Sequence, residues 1–502
     1  MNTRALVSLT CGLVALLCWA LASPIGASPD DDFHLPSIWC GRGNVANQCQ
    51  VPADGSNVLL PGPFGQGMYC YAFRNTVSAA CQKSIKDWKD TTLTTPSRSN
   101  IISKLYPPGY YHVMSFFVSD NIKRSALRMR AFNCILTVCL LAILLRFARG
   151  SPIQFSVTWT LLVASIPLGL FCVASNNPSS WSIIGVGTFW AFLFLLQRTE
   201  ATTPSDTKRA LLLGGLALFS AFLAVSSRVD GAVYICISTL CALLASVSRP
   251  LELIHLRHRP LTLTVSCVAI LGSCLAFVFL GQGTSVATKG LADTAPASRT
   301  LAQLLFENIR SFPDLWSGAV GGWGLGWLDT AMPRSVMLIV FGIAFYLIIA
   351  GMQFAPRGKV LAFCVCLAVL AVLPILVLTQ SGHIVGETVQ PRYLLPLIYL
   401  LIGLSLVGRP TEKTRCLSRT TAFVFALLLS VAHSLALHQN IRRYTVGLQS
   451  IGFDLNYRVE WWWQHAPSPM ATWILGSVAF LVVCLLMTLR ADTLSHEEES
   501  AR

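Results

Sequence analysis

The chain has little charge. Asp, Glu, Lys and Arg make up 12% of its 502 residues, and acidic residues are the scarcer sign, 23 against 37 basic. With 54% hydrophobic residues and a mean hydropathy of +0.60, that shortage excludes an ordinary soluble domain. No Gly-x-x-x-x-Gly-Lys-Ser/Thr pattern occurs, which removes a Walker-type phosphate loop. No Cys-x-x-Cys unit occurs among the 17 cysteines, so nothing argues for a structural zinc site. Low-complexity tracts and internal repeats are also missing. Without two related halves, a twelve-helix secondary transporter, which usually shows them, is the weaker reading.

What is there is a series of apolar runs long enough to cross a bilayer core as helices. Twelve are predicted, near 5–23, 128–147, 155–174, 181–197, 210–227, 231–248, 261–280, 335–353, 359–379, 393–408, 419–437 and 471–489. The fold class is therefore an all-α integral membrane protein of about twelve transmembrane helices with a large first outer loop. The first run also reads as a signal peptide, since Ser23-Pro24-Ile25-Gly26-Ala27 ends in small residues. Parity and the acidic run that follows favour a retained helix. The weakest pattern is 210–248, where Arg228 and Asp230 interrupt it.

The net charge of +14 is not a nucleic-acid footprint. Arg146 and Arg149, Arg198, Lys208 and Arg209, Arg249, Arg257 and Arg259, Arg357 and Lys359, and Arg409, Lys413, Arg415 and Arg419 fall in alternate short loops. That is the positive-inside pattern. It divides the chain into a first helix or signal anchor (1–23), an outer loop (24–127), a polytopic region (128–489) with further outer loops at 281–334, 380–392 and 438–470, and a cytosolic tail (490–502). The inner loops are too short for a nucleotide-binding domain, so an activated substrate is expected to arrive through the membrane.

Most cysteines lie singly in apolar segments, where a thiol behaves as a small hydrophobe. Cys40, Cys49, Cys70 and Cys81 instead share the first polar loop. Outside the cytosol two disulfides are expected there. Three pairings are open, and the sequential one, Cys40–Cys49 with Cys70–Cys81, is the expectation.

The acidic run is Asp30-Asp31-Asp32, just beyond the first helix and followed by Phe33-His34. Carboxylates at headgroup depth are placed to act as a general base on a lipid-linked substrate. Mutual repulsion can raise one of their pKa values. The bland alternative is a solvated loop, and a divalent cation site is left open. A second constellation, His383 to Pro396, delivers Glu387, Gln390, Arg392 and Tyr393 onto the top of a predicted span. Arg392 reads either as a phosphate ligand or as an interfacial anchor. Arg228 and Asp230 read as an ion pair or as the lining of a polar cavity. Tyr106-Pro107-Pro108-Gly109-Tyr110-Tyr111 precedes an apolar run able to form an interfacial helix. In the last outer loop, Arg442-Arg443-Tyr444 and Trp461-Trp462-Trp463 suit either sugar stacking or an aromatic belt. Asn176-Asn177-Pro178 and Trp323 to Trp327 carry no assignable chemistry.

An acidic motif after the first helix, a large first outer loop, a Pro-Pro-x-Tyr-Tyr element and chemistry gathered on the outer face resemble the GT-C glycosyltransferases. These polytopic enzymes use polyprenyl-phosphate sugars. More narrowly, the chain resembles a bacterial branch known mainly as a domain of unknown function. The motifs are Asp30-Asp31-Asp32-Phe33-His34, Gln390-Pro391-Arg392-Tyr393-Leu394-Leu395-Pro396, and Arg443-Tyr444 with Trp461-Trp462-Trp463.

The resemblance implies an inverting transfer from a polyprenyl-phosphate monosaccharide to a cell-envelope glycan or glycolipid, on the outer face of a bacterial inner membrane. Arabinofuranose or mannose is the implied sugar. Asp31 is the favoured base, then Asp30, then Asp32. His34 and Arg392 are the implied phosphate ligands, and Tyr393, Gln390, Glu387, His383, Arg228, Asp230, Tyr110 and Tyr111 complete the candidate substrate site. No cofactor is required, because lipid phosphate is a competent leaving group. Against larger relatives, no soluble C-terminal carbohydrate-binding domain is expected. A non-catalytic envelope assembly factor is the other alternative.

Overall fold

The computed structural model describes residues 3–52, 58–65, 67–96, 98–151, 153–200, 202–253, 259–280, 299–408 and 417–499. The helices are α1 (Thr3–Leu21), α2 (Asp31–Trp39), α3 (Asn100–Ser103), α4 (Gly109–Ser115), α5 (Ile122–Ala148), α6 (Gln154–Ala164), α7 (Leu168–Val173), α8 (Ser179–Gln197) and α9 (Pro204–Ser227). They continue as α10 (Val229–Ala245), α11 (Pro260–Phe279), α12 (Leu301–Ala319), α13 (Arg334–Met352), α14 (Arg357–Gln380), α15 (Pro391–Leu406), α16 (Arg419–Thr445) and α17 (Pro469–Glu499).

Among the described residues, nine helices are long and apolar enough to cross a membrane. Shorter apolar helices, α6, α10 and α15, occupy the places of the other three predicted spans. The protein is a multi-pass membrane protein. The span expected at 155–174 differs from expectation: it is two helices, α6 and α7, parted around Pro167. Proline has no N–H to continue the ladder. Between α9 and α10 the chain is extended at Arg228 (φ −147°, ψ 144°), which is why the pattern falters there.

The bundle has two unlike ends. At one, short connections tie to each other: Arg259 Nη1 donates to the Gln197 carbonyl at 2.5 Å, and Gly358 N–H to the Ser248 carbonyl at 3.2 Å. Of the basic residues read there, Arg257, Arg409, Lys413 and Arg415 lie outside the described residues, as do 281–298 and the last residues of the tail. At the other end, the long loops pack on one another. Arg443 of α16 is fully buried; it pairs with Asp329 at 2.8 Å and donates to the carbonyls of Tyr71, Arg74 and Val77.

The first long loop is folded around little regular structure. A two-residue ribbon, β1 (Leu60–Pro61) with β2 (Leu93–Thr94), is its only sheet among the described residues. The disulfides Cys40–Cys49 and Cys70–Cys81 brace it, as the sequential pairing expects. The apolar run after Pro108 forms α4, whose Tyr110 and Tyr111 are buried.

Helix α12 is an element the sequence reading left as loop. It starts at a capping box, with the Thr300 side chain on the Gln303 N–H and the Gln303 side chain on the Thr300 N–H. Leu304 and Leu315 are buried, while Leu301, Phe306 and Ile309 are exposed. A helix greasy on its outer side at the end of a membrane bundle suits an interfacial position. Non-reducing peptide mapping should recover Cys40 linked to Cys49 and Cys70 to Cys81. The remaining described cysteines should all alkylate after denaturation without reductant. A crossed pairing, or alkylation of any of the four, would contradict the loop's architecture.

Candidate functional site

Pro29-Asp30-Asp31-Asp32 opens α2. Carboxylates suit the partial positive charge of a helix N-terminus. Asp30 caps the helix in the left-handed region (φ 60°, ψ 24°), which Asp tolerates better than most side chains. The turn sends the three carboxylates into different surroundings.

Asp31 points inward and is fully buried. Its Oδ2 accepts the Ser28 N–H at 3.1 Å, and its Oδ1 is buried with no partner among the described residues. Burial pushes its carboxyl up to about 7; Arg130 and the Ser28 N–H oppose the rise, and Asp32 and Asp30 add to it.

Asp30 and Asp32 stand at the mouth. Arg98 spans both, with Nε on Asp32 Oδ2 at 2.7 Å and Nη2 on Asp32 Oδ1 at 2.7 Å and on Asp30 Oδ1 at 2.8 Å. The remaining Asp30 oxygen accepts from Arg392 Nη2. Burial acts to raise the Asp30 carboxyl, but the Arg392 and Arg98 guanidiniums beside it hold it well below the usual carboxylate range.

Arg392 enters from the first turn of α15, with its side chain only 1% exposed. That degree of burial excludes an anchor lying in the headgroups. Its Nε and Nη1 are buried with no partner among the described residues. Arg228 lies alongside, its guanidinium 4.1 Å from the centre of the Tyr393 ring and paired with Asp230 at 2.8 Å. His34 completes the group: Nδ1 shares a hydrogen bond with the Tyr111 hydroxyl at 2.9 Å, and Nε2 is buried with no partner. Burial, opposed by Asp30 and helped by Arg392, Arg228 and Arg98, holds the imidazole well below its usual pKa and therefore neutral. When the Tyr111 hydroxyl donates to Nδ1, Nε2 carries the proton and is a free donor.

The scaffold beneath is built from captured backbone. Arg130 of α5, fully buried, donates to the carbonyls of Ala20, Ser23 and Pro24 at 2.9, 2.7 and 2.7 Å and to Asn176 Oδ1 at 2.9 Å. Asn177 Nδ2 donates to the Pro29 carbonyl at 2.8 Å, and Trp327 Nε1 to the Gly26 carbonyl at 2.8 Å. Tyr71 and Gln82, from the Cys70–Cys81 loop, hold the Ile25 carbonyl. Each carbonyl leading up to the Asp run that these groups reach would otherwise be an unpaired acceptor.

The structure thus brings together Asp30, Asp32, His34, Tyr111, Arg228, Asp230, Arg392 and Tyr393. Tyr110 faces the helices instead, with its hydroxyl near Asn133 Nδ2 at 3.4 Å and its ring on Trp181. Glu387 pairs with Arg299 at 3.1 Å, and the His383 carbonyl accepts from Asn308, so both sit in a neighbouring loop cluster. Gln390 leaves a buried Oε1 without a partner there. Trp462 and Trp463 donate to the Pro467 and Leu21 carbonyls, and Trp461 is buried; this is packing rather than an aromatic belt. The sequence reading missed Arg98, Arg130 and the role of Asn177. No local motif marks them.

Below Arg392 on the same helix, Leu395, Ile398 and Ile402 line an apolar groove with Trp316, Val320 and Phe345. Among the described residues no three His, Cys, Asp or Glu side chains are grouped to hold a metal. A divalent cation at the Asp run would have to displace Arg98.

The Asp31 pKa has a testable consequence. Between about 4, the unfolded value, and about 7, the folded chain keeps a proton that the unfolded chain has released. Stability from this group is complete below that window, falls as pH rises through it, and levels off above. Thermal unfolding at pH 5 and pH 8 should show a larger drop for the parent than for Asp31→Asn. Equal drops would mean that Asp31 is not buried as a neutral acid.

The family model described as "Predicted membrane protein (DUF2142)" matches residues 13–401. No curated protein matches the chain. Among solved structures the chain is similar to ArnT from Cupriavidus metallidurans in the apo state, at 12% identity and a TM-score of 0.39, over 84% of this chain and 72% of that one.

Proposed function

We propose a function for a chain that belongs to the DUF2142 family of membrane proteins: a membrane glycosyltransferase of GT-C type that takes its sugar from a polyprenyl phosphate. The observation that carries the reading is Arg392. A buried guanidinium with two nitrogens unsatisfied is costly, and an anion entering beside it would remove that cost. Arg228 and the free His34 Nε2 face the same place. Arg suits a phosphate oxygen through its planar donor set. The apolar groove beside α15, lined by Leu395 and Ile398, offers a prenyl chain a route into the bilayer. The clustering of charge at one end of the bundle, rather than midway along it, speaks against a transporter.

The acceptor hydroxyl gives its proton to a carboxylate as its oxygen attacks the anomeric carbon. The bond from that carbon to the phosphate oxygen breaks, and its electron pair leaves with the lipid phosphate. The configuration inverts. Arg392, Arg228 and the His34 N–H stabilise the charge gathering on the leaving phosphate.

Of the three carboxylates, Asp30 is the base in this reading. The sequence ranks Asp31 first, but Asp31 is sealed from the mouth and faces Arg130. Asp30 is partly exposed and shares Arg392 with the expected phosphate. When the donor phosphate neutralises Arg392, the restraint on the Asp30 carboxyl weakens and its proton affinity rises toward the working range. The short loops rich in Arg and Lys support a reading in which the opposite end is cytosolic and the site faces outward across a bacterial inner membrane. The acceptor is an envelope glycan or glycolipid, and the sugar arabinofuranose or mannose. No cofactor takes part.

The test is transfer by purified protein from a panel of polyprenyl-phosphate sugars. Asp30→Asn should lower kcat by about 10²–10⁴-fold. Arg392→Gln should weaken donor use, and Asp31→Asn should keep activity within a few-fold. An active Asp30→Asn variant, or an Asp31→Asn variant as damaged as Asp30→Asn, would move the base elsewhere. Failure of the parent to use any donor would sink the enzyme reading.

A further inference from the structure

A cavity of mixed polar and apolar lining lies at the same end of the bundle, built by the C-terminus of α16 and the loop after it. Its volume is about 210 Å³, and Arg442, Thr445, Ser450, Phe453, Asp454 and Tyr457 line it. Arg442 is only 9% exposed. Its Nε donates to the Ser450 carbonyl at 2.6 Å, and among the described residues no carboxylate pairs with it. A cation this buried, facing a cavity with Asp454 on its wall but not bonded to it, is poised for a polar ligand.

The cavity is held open by the loop's own bonds. Asp454 Oδ1 accepts the Asn456 N–H at 2.8 Å, and Asn456 Oδ1 accepts the Met470 N–H at 3.1 Å. The Phe453 carbonyl meets His438 Nε2 at 2.9 Å, and the Phe453 ring packs on Trp473. Gly447 lies so close to Thr76 that a Cβ would come within 2.4 Å of its carbonyl oxygen, which locks the floor to the Cys70–Cys81 loop. Even so, Phe453 is 66% and Tyr457 60% exposed. Two rings thus keep an open face beside a buried cation and a carboxylate.

We propose that this cavity binds carbohydrate, as a subsite for the acceptor glycan. A sugar ring offers an apolar C–H face and a rim of hydroxyls that both donate and accept. The exposed faces of Tyr457 and Phe453 suit the first. For the rim, Arg442 donates, the free oxygen of Asp454 accepts, Thr445, whose hydroxyl already donates to the Arg442 carbonyl, accepts, and Ser450 does either. Asp454 on the wall disfavours the anionic phosphate of a lipid headgroup, the other ligand a lone arginine at this depth would attract. The site touches the transferase machinery through adjacent residues. Arg443, next on α16, holds Tyr71, whose hydroxyl holds the Ile25 carbonyl just before the Asp run. Naming the glycan as acceptor rests on the transferase reading; carbohydrate binding itself does not.

The experiment titrates the full-length protein, in nanodiscs of zwitterionic phospholipid, with short soluble arabinofuranosyl and mannosyl oligosaccharides, read by saturation-transfer NMR. The parent should bind at least one of them. Tyr457→Ala and Asp454→Asn should each weaken that binding roughly tenfold, the size expected for losing a stacked ring or a charged hydrogen bond. Asp454→Asn keeps the Oδ1 acceptor that orders the loop, so its loss is not simple unfolding. Asp30→Asn, which slows transfer in the reading above, should bind the oligosaccharide as the parent does. Glycan binding without transfer by the parent would therefore leave this subsite standing and defeat only the transferase reading. No binding by any oligosaccharide, or equal binding by Tyr457→Ala and Asp454→Asn, would overturn it. So would an Arg442-dependent ligand that appears only when anionic phospholipid is added, which would make the cavity a headgroup site.

Discussion

The candidate site depends on one contact, the ion pair between Asp30 and Arg392, 362 residues apart in the chain. It joins the turn after the first helix to the first turn of α15. It is an unequal pair: the carboxylate has two arginines, while the guanidinium keeps two buried nitrogens without partners among the described residues. Burying a charge is tolerated only when its partners are in place, and breaking such a pair costs about 3–5 kcal/mol. The imbalance sits where His34 and Arg228 also present donors. A negatively charged ligand would correct it at once, and would do so by competing with Asp30 for Arg392.

Such an arrangement needs a stiff frame. The segment from Ala22 to Pro29 has no helix or strand, yet side chains from α5, the α7–α8 turn, the Cys70–Cys81 loop and the Trp327 loop hold its carbonyls. Arg130 does the most, with three backbone carbonyls and one amide oxygen on a single guanidinium. The two disulfides and the buried Arg443–Asp329 pair fix the loops that supply the other donors. A carboxylate at the tip of this segment is therefore positioned by contacts made far from it in sequence.

That dependence explains what was legible in the amino-acid sequence. Spans were, because hydrocarbon demands long apolar helices and the runs are contiguous. The cysteine pairs were, because four cysteines in one polar loop stand apart from thirteen others. The Asp run, His34 and Arg392 were visible as motifs, although their meeting was not. Arg98 and Arg130 were not visible. Arg98 sits in a polar loop with no flanking pattern, and Arg130 falls inside a predicted span, where a charge reads as topology. Asn176 and Asn177 carried no assignable chemistry in the sequence, whereas both are buried and hold backbone and side chains from other elements. Helix α12 carried its capping signal openly, but the apolar face that follows is too short and too mixed to stand out from a long loop.

The central claim is that a lipid phosphate takes Arg392 from Asp30. A structure of the protein in nanodiscs with a bound polyprenyl phosphate tests it directly. The account predicts the phosphate against the Arg392 guanidinium, within reach of His34 Nε2, with the Asp30 contact opened and the prenyl chain along the α15 groove. A phosphate bound elsewhere, with the Arg392–Asp30 pair intact, would contradict it.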